Sequence, residues 1–131
     1  LPAGGETYSA RINTPQLGCI FFTARELERN LLQGTSTDVV DALGNRPLVA
    51  FTGVNTASFA SGIGIGDVLV SVNGEVPADP RDASRLIRAA PRPVNLRFYS
   101  VPNLHVKRYE ANCMVKYDTR TKEAGSSALD W

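Results

Sequence analysis

The sequence predicts a mixed α and β domain, and three observations carry that prediction. Short apolar runs rich in strand formers recur between glycine, proline and asparagine turns. Two segments open on helix-capping patterns, Thr23-Ala24-Arg25-Glu26 and Asp79-Pro80. The 131 residues, 43% apolar and 21% charged, suit a single globular domain with its own core rather than a disordered or collagen-like chain.

Residues 1–7 are rich in turn formers and read as a loose N-terminal lead-in. Tyr8 to Asn13 alternates, with Tyr8, Ala10 and Ile12 on one side, which predicts a half-buried strand. Thr14-Pro15-Gln16 turns the chain into Leu17-Gly18-Cys19-Ile20-Phe21-Phe22, a second strand. The Thr23/Glu26 capping box starts a helix predicted over 24–33, carrying Leu27, Leu31 and Leu32 at helical spacing. Ser36 caps a second helix over 37–43, with Gly44 past its end. Leu48 to Val54 reads as a strand and 56–60 as a brief helical turn. Val68 to Val72 is a strand closed by Asn73-Gly74, two residues tolerant of positive φ. Asp79 and Pro80 begin a helix carrying Ala83, Leu86, Ile87 and Ala90, which Pro91 ends. Val94 to Phe98 is the next strand. Beyond Val101 the composition shifts, and all three lysines (Lys107, Lys116, Lys122) fall there. Leu104–Tyr109 and Asn112–Tyr117 read as a hairpin or an added edge strand. From Asp118 the chain is polar and is expected to be disordered as far as Leu129-Asp130-Trp131.

Several function classes fall away. A net charge of +1 gives no bulk electrostatic case for nucleic acid. No apolar run approaches the ~20 residues a membrane span needs. Cys19 and Cys113 are too few for a disulfide scaffold; two free thiols in a reducing compartment are favoured over a single bridge. The sole histidine, His105, has no paired cysteine, serine elbow or metal-binding helix around it, so no catalytic residue, metal site or cofactor is expected. Gly62-Ile63-Gly64-Ile65-Gly66 has the wrong glycine spacing for a phosphate cradle and leads into a strand rather than a helix. The first residue is Leu1 rather than methionine, so the sequence is read as a piece of a longer chain, any upstream targeting signal lying outside it.

Gln16-Leu17-Gly18-Cys19 looks like a carboxylate-binding loop, and Gly62 to Gly74 carries Gly-apolar pairs, Gly66-Asp67, a strand and Asn73-Gly74 in order. Together with the helix at Ala83–Ile87 and the strand at Val94–Leu96, residues 8 to about 99 resemble a PDZ domain of the eukaryotic signalling type. The resemblance implies an α+β fold, a partly open β-barrel or sandwich of five to six strands capped by two helices. It divides the chain into the lead-in (1–7), a PDZ-like domain (8–100) with a long helical insertion at about 23–47, and a C-terminal extension (101–131). It also implies a non-catalytic module that captures the carboxyl terminus of partner proteins by β-augmentation, for scaffolding or localisation in the cytoplasm, with membrane or cytoskeletal association arising through partners.

Carried over position by position, the resemblance makes the amides of Leu17, Gly18 and Cys19 the carboxylate donors. Leu17, Cys19 and Phe21 then face the pocket for the last ligand residue, Ile87 closes it, and Ile20 and Phe22 point away. Ala83 and Ser84 flank the groove higher up, and Arg11 is a candidate water-mediated support for the carboxylate. Cys19 stands where many relatives carry a large aromatic, which implies a roomy pocket. Pro80 stands where some carry a histidine that selects serine or threonine, which implies apolar residues at the last and third-last ligand positions. Three further readings stay open. The groove is blocked by the insertion or the tail, leaving a protein- or phosphoinositide-binding module; the domain regulates a larger enzyme; or the chain's own end, Leu129-Asp130-Trp131, fills a neighbour's groove. Arg81, Arg85, Arg88 and Arg92 share one helix face, read as opposite the groove: a solvated face, or a patch for an acidic partner or anionic lipid.

Overall fold

A computed structural model describes residues 1–29, 31–53, 56, 60–109 and 115–119. Five strands, β1 (Glu6–Ile12), β2 (Cys19–Phe22), β3 (Leu48–Thr52), β4 (Val68–Val72) and β5 (Val94–Ser100), form one antiparallel sheet in the order β1-β5-β4-β3-β2. The helices are α1 (Ala24–Leu27), α2 (Thr37–Leu43) and α3 (Pro80–Ala89), and β6 (His105–Tyr109) pairs antiparallel with β7 (Val115–Thr119). The expected α+β class is observed.

The sheet is covered on both faces, and side-chain alternation shows how. In β3, Val49 enters one hydrophobic cluster while its neighbours Leu48 and Ala50 enter another. In β4, Val68 joins the second cluster and Leu69 the first. A register shift between Leu69 and Ser71 then returns Val72 to the side of Leu69, as an extra residue in one strand must. The first cluster lies beneath α3 and includes Ile12, Phe21, Ala83, Ile87, Leu96 and Phe98. The second joins the insertion (Leu27, Leu32, Val40, Leu43) to Val101, Leu104 and Val106 from beyond residue 100. Thr35 and His105 reinforce that junction: the His105 amide donates to Thr35 Oγ1 at 3.0 Å, and that hydroxyl donates to the His105 carbonyl at 3.2 Å. The first residues of the extension are therefore packed against the insertion.

The caps form as the sequence requires. Thr23 and Glu26 make a reciprocal capping box, Ser36 accepts from the Asp38 amide, and Asp79 accepts from the Asp82 amide ahead of Pro80 at the start of α3. Asn73 (φ 50°) and Gly74 (φ 86°) both take the left-handed conformation expected of their turn. The Gly62–Asp67 segment is fixed by Asp67, only 3% exposed, whose carboxylate accepts from the Tyr8 hydroxyl and from the Gly64 amide at 3.2 Å.

Four expectations change. The first helix, predicted over 24–33, is a single turn. The Leu27 carbonyl accepts from both Leu31 and Leu32 at 2.9 Å, so the chain widens beyond α-helical spacing, and Gly34 then turns left-handed. The lead-in is tied down: β1 already starts at Glu6, and Tyr99 accepts from the Gly5 amide while donating to the Pro2 carbonyl. The β7 strand carries regular pairing through Asp118 to Thr119, opposite Val106 and His105, because the ladder extends past the apolar stretch. The strand read to Val54 ends at Thr52. Most of the helical turn at 56–60, Cys113 and the Leu129-Asp130-Trp131 end lie outside the described residues.

Candidate functional site

The β2 strand borders the sheet, with β3 on one side and no strand on the other among the described residues. Four residues fix its register against β3, from Cys19 opposite Thr52 to Phe22 opposite Leu48. Along it Phe21 is buried while Ile20 and Phe22 are about half exposed (50% and 41%), the alternation the sequence implied. Beside that border packs α3, and between them opens a cavity of about 520 Å³.

The cavity is lined by Pro15 to Phe21, by Phe51, Gly53 and Thr56, and by Ser84, Ile87, Arg88 and Arg92. Leu17 and Ile87 supply its apolar floor, at 7% and 5% exposure, as part of the cluster beneath α3. One end is closed by the turn at Gly18, whose φ of +77° favours glycine; a Cβ there would overlap the Thr56 side chain. The Gly18 carbonyl accepts from the Gly53 amide at 3.0 Å, which pins the turn to the end of β3. Among the described residues the Leu17 amide donates to no acceptor. Burial pushes the Cys19 thiol up to about 12, so it lines this space in its neutral form.

A second cavity of about 670 Å³ continues the groove and shares Phe21, Ser84 and Arg88 with the first. It is lined by Phe22 and Thr23, by Glu26 and Asn45 from the insertion, and by Asp79, Pro80 and Arg81. The insertion thus borders one end of the groove, while its apolar side chains pack on the opposite face of the sheet.

The structure brings Leu17, Gly18, Cys19, Ile20, Phe21, Ser84 and Ile87 to one cavity and Pro80 to its continuation. Phe22 lines that continuation too, so Ile20 and Phe22 border the groove rather than pointing away from it. Ala83 is placed differently. It has no exposed surface and packs in the core beneath α3, so Ser84 and Pro80 take the position beside the groove. Arg11 lies on β1 opposite Asn95 and lines neither cavity.

The arginines also need correction. At about 100° per residue, Ser84 lies only about 60° round the helix from the arginine line, so that line flanks the groove rather than opposing it. Arg81 lines the second cavity, Arg88 lines both and Arg92 lines the first. Arg85 is paired with Asp82 through Nε at 3.0 Å. Asp82, which also accepts from the Ala78 amide, is held below its usual carboxylate range by that bond and by Arg85.

Arg92, which spacing assigns to a surface patch, spends its guanidinium on backbone instead. Nε donates to the Thr14 carbonyl at 2.7 Å and Nη2 to that of Pro15 at 2.8 Å. Nη1 donates to Ile87 and Ala90 at 2.8 and 3.0 Å. Four separate carbonyls share one side chain, a relation that residue spacing could not display.

No family model matches the sequence, and no curated protein matches it. Solved structures do. INAD PDZ3 in complex with a TRP channel tail aligns at 19% identity and TM-score 0.51, covering 72% of this chain and 84% of that one. Dlg1 PDZ2 of the choanoflagellate Monosiga brevicollis aligns at 18% identity and the same TM-score, covering 71% and 90% respectively. The fold is PDZ-like.

Proposed function

We propose that this PDZ-like fold serves as a non-catalytic peptide-binding module that captures the carboxyl terminus of partner proteins. The observation that carries the reading is an open sheet border lying beside a cavity closed at one end by a glycine turn. An extended peptide laid antiparallel to β2 continues the ladder with main-chain hydrogen bonds, whatever its sequence. Its terminal carboxylate meets the amides of Leu17, Gly18 and Cys19, where charge-assisted bonds are stronger than neutral ones. The last side chain enters the floor formed by Leu17, Phe21 and Ile87, with the neutral Cys19 thiol at its side.

At the third-last ligand position Pro80 supplies no side-chain donor and the Phe21 and Phe22 rings stand beside it, which supports an apolar residue there, while Ser84, Arg81 and Arg88 line the same cavity. Tail binding by one of the similar structures is consistent with this reading. The role proposed is scaffolding or localisation in the cytoplasm. No helix among the described residues is long and apolar enough to cross a membrane. A lipid-headgroup patch is less well supported, because Arg85 and Arg92 already hold internal partners.

The test is binding of a fluorescent peptide library ending in apolar-x-apolar, each member made as free acid and as amide. The free acids should bind at least about tenfold tighter, the equivalent of about 1.4 kcal/mol. Equal binding would remove the carboxylate from the recognition and leave only a general interaction surface.

A further inference from the structure

We infer that Arg92 is the positioning residue of the carboxylate turn, setting its amides relative to α3 through the backbone it holds; this rests on the function proposed above. The turn that presents Leu17, Gly18 and Cys19 has an anchor on each side. Behind Gly18 the anchor is backbone, the Gly53 amide on the Gly18 carbonyl. Ahead of Leu17 it is Arg92, whose Nε and Nη2 hold the consecutive carbonyls of Thr14 and Pro15. A Thr14 hydroxyl bond to the Gln16 carbonyl at 2.8 Å carries the constraint one residue further.

On its other side the same guanidinium caps α3. The carbonyls of Ile87 and Ala90 belong to the end of that helix, where carbonyls lack intrahelical partners and a cation is favoured. Ile87 is the residue that floors the cavity from the helix. One planar group therefore fixes the distance between two walls of the pocket, the turn and the helix. Its geometry is what matters: the fork has five N–H donors in one plane, four of them engaged here, whereas lysine offers the same charge as a point on a flexible stem.

Arg92→Lys and Arg92→Met separate position from charge. Each would be titrated with one free-acid peptide and its amide, under conditions where melting curves show the variant folded. Both variants should lose about tenfold in free-acid affinity, with amide affinity within about twofold of the parent. In amide hydrogen exchange at saturating free-acid peptide, where the carboxylate bonds them, Leu17, Gly18 and Cys19 should lose protection in both, with β4 unchanged. A general loss of stability would move both peptides and all strands together, and that result overturns the inference. So does Arg92→Lys keeping the parent's acid-to-amide ratio, since charge alone would then suffice. Should Arg92→Met fail to fold, Arg92→Lys carries the test. A parent protein that does not distinguish acid from amide sinks the proposed function and this inference with it; a parent that does, beside unaltered variants, sinks the inference alone.

Discussion

On one face of the sheet, Ile87 and Ala83 of α3 pack on Phe21, Val49 and Leu69; on the other, Leu43 of α2 and Leu104 from beyond β5 pack with Leu48 and Val68. Both clusters contain side chains with no exposed surface, and Ile65 touches both. They differ at their margins. The first opens at β2 into the groove, where Ile20 and Phe51 remain about half exposed opposite each other. The second is sealed by the insertion and the first residues of the extension. The open border leaves apolar side chains exposed on the groove side, whereas the second face buries its own beneath the insertion and the first residues of the extension. The long insertion is thus chiefly a structural layer, and its contribution to the groove is limited to its ends.

Truncation after Ser100 should break this contrast most severely. It removes Val101, Leu104 and Val106, each buried and worth about 1.5–3 kcal/mol of transfer free energy. Their sum rivals the whole stability of a small domain. Circular dichroism and thermal melting should show a truncated chain largely unfolded, and an unchanged melt would detach the extension from the fold.

Leu43→Ala comes next. Its side chain has no exposed surface, so unfolding free energy should fall by about 2–5 kcal/mol in urea titrations. Free-acid peptide affinity of the folded fraction should hold, since Leu43 lies on the face away from the groove. A matching loss of affinity would show the two faces to be coupled.

Gly18→Ala should reverse that pattern. A left-handed alanine costs about 1–2 kcal/mol, and its Cβ meets Thr56 besides. Free-acid binding should suffer far more than stability, with amide binding affected less.

The smallest effect concerns pH. The Cys19 thiol is raised from 9.0 to about 12 by burial. Above 9 the unfolded chain loses this proton while the folded chain keeps it, so stability falls with rising pH until the folded thiol ionises. In a Cys113→Ala background, Cys19→Val should flatten the slope of stability between pH 9 and 10 relative to its parent, and Cys19 should resist thiol reagents at pH 8 until the protein is denatured.

Much of the groove could be read from local signals. Capping at Thr23 and Asp79, the Asn73-Gly74 turn and the alternation of Ile20, Phe21 and Phe22 each depend on a few adjacent residues, and each appears in the structure. Ala83 was misplaced because helical spacing tells which residues share a face, but not how far around the helix the sheet reaches. The arginines were misplaced for the same reason. Spacing puts Arg92 in a surface patch rather than on the turn because its partners, Thr14 and Pro15, lie 78 and 77 residues away. Proline and threonine carbonyls carry no signature in sequence. The first helix was overextended because three leucines at helical spacing outvoted Gly34, which the chain needs for its turn back into the second core.

By itself the sequence determined the order of strands, turns and caps and most of their starting points, β1 and β2 excepted, since backbone preference and side-chain period act within a few residues. It also marked the glycine turn and the apolar segments that the groove requires. Only the tertiary structure decided that insertion and extension share a core, that Pro80 and Ser84 rather than Ala83 flank the groove, and that one guanidinium binds the turn to the helix. Those outcomes depend on which surfaces meet when the sheet closes over both clusters, and contact between distant segments is set by packing that no local pattern encodes.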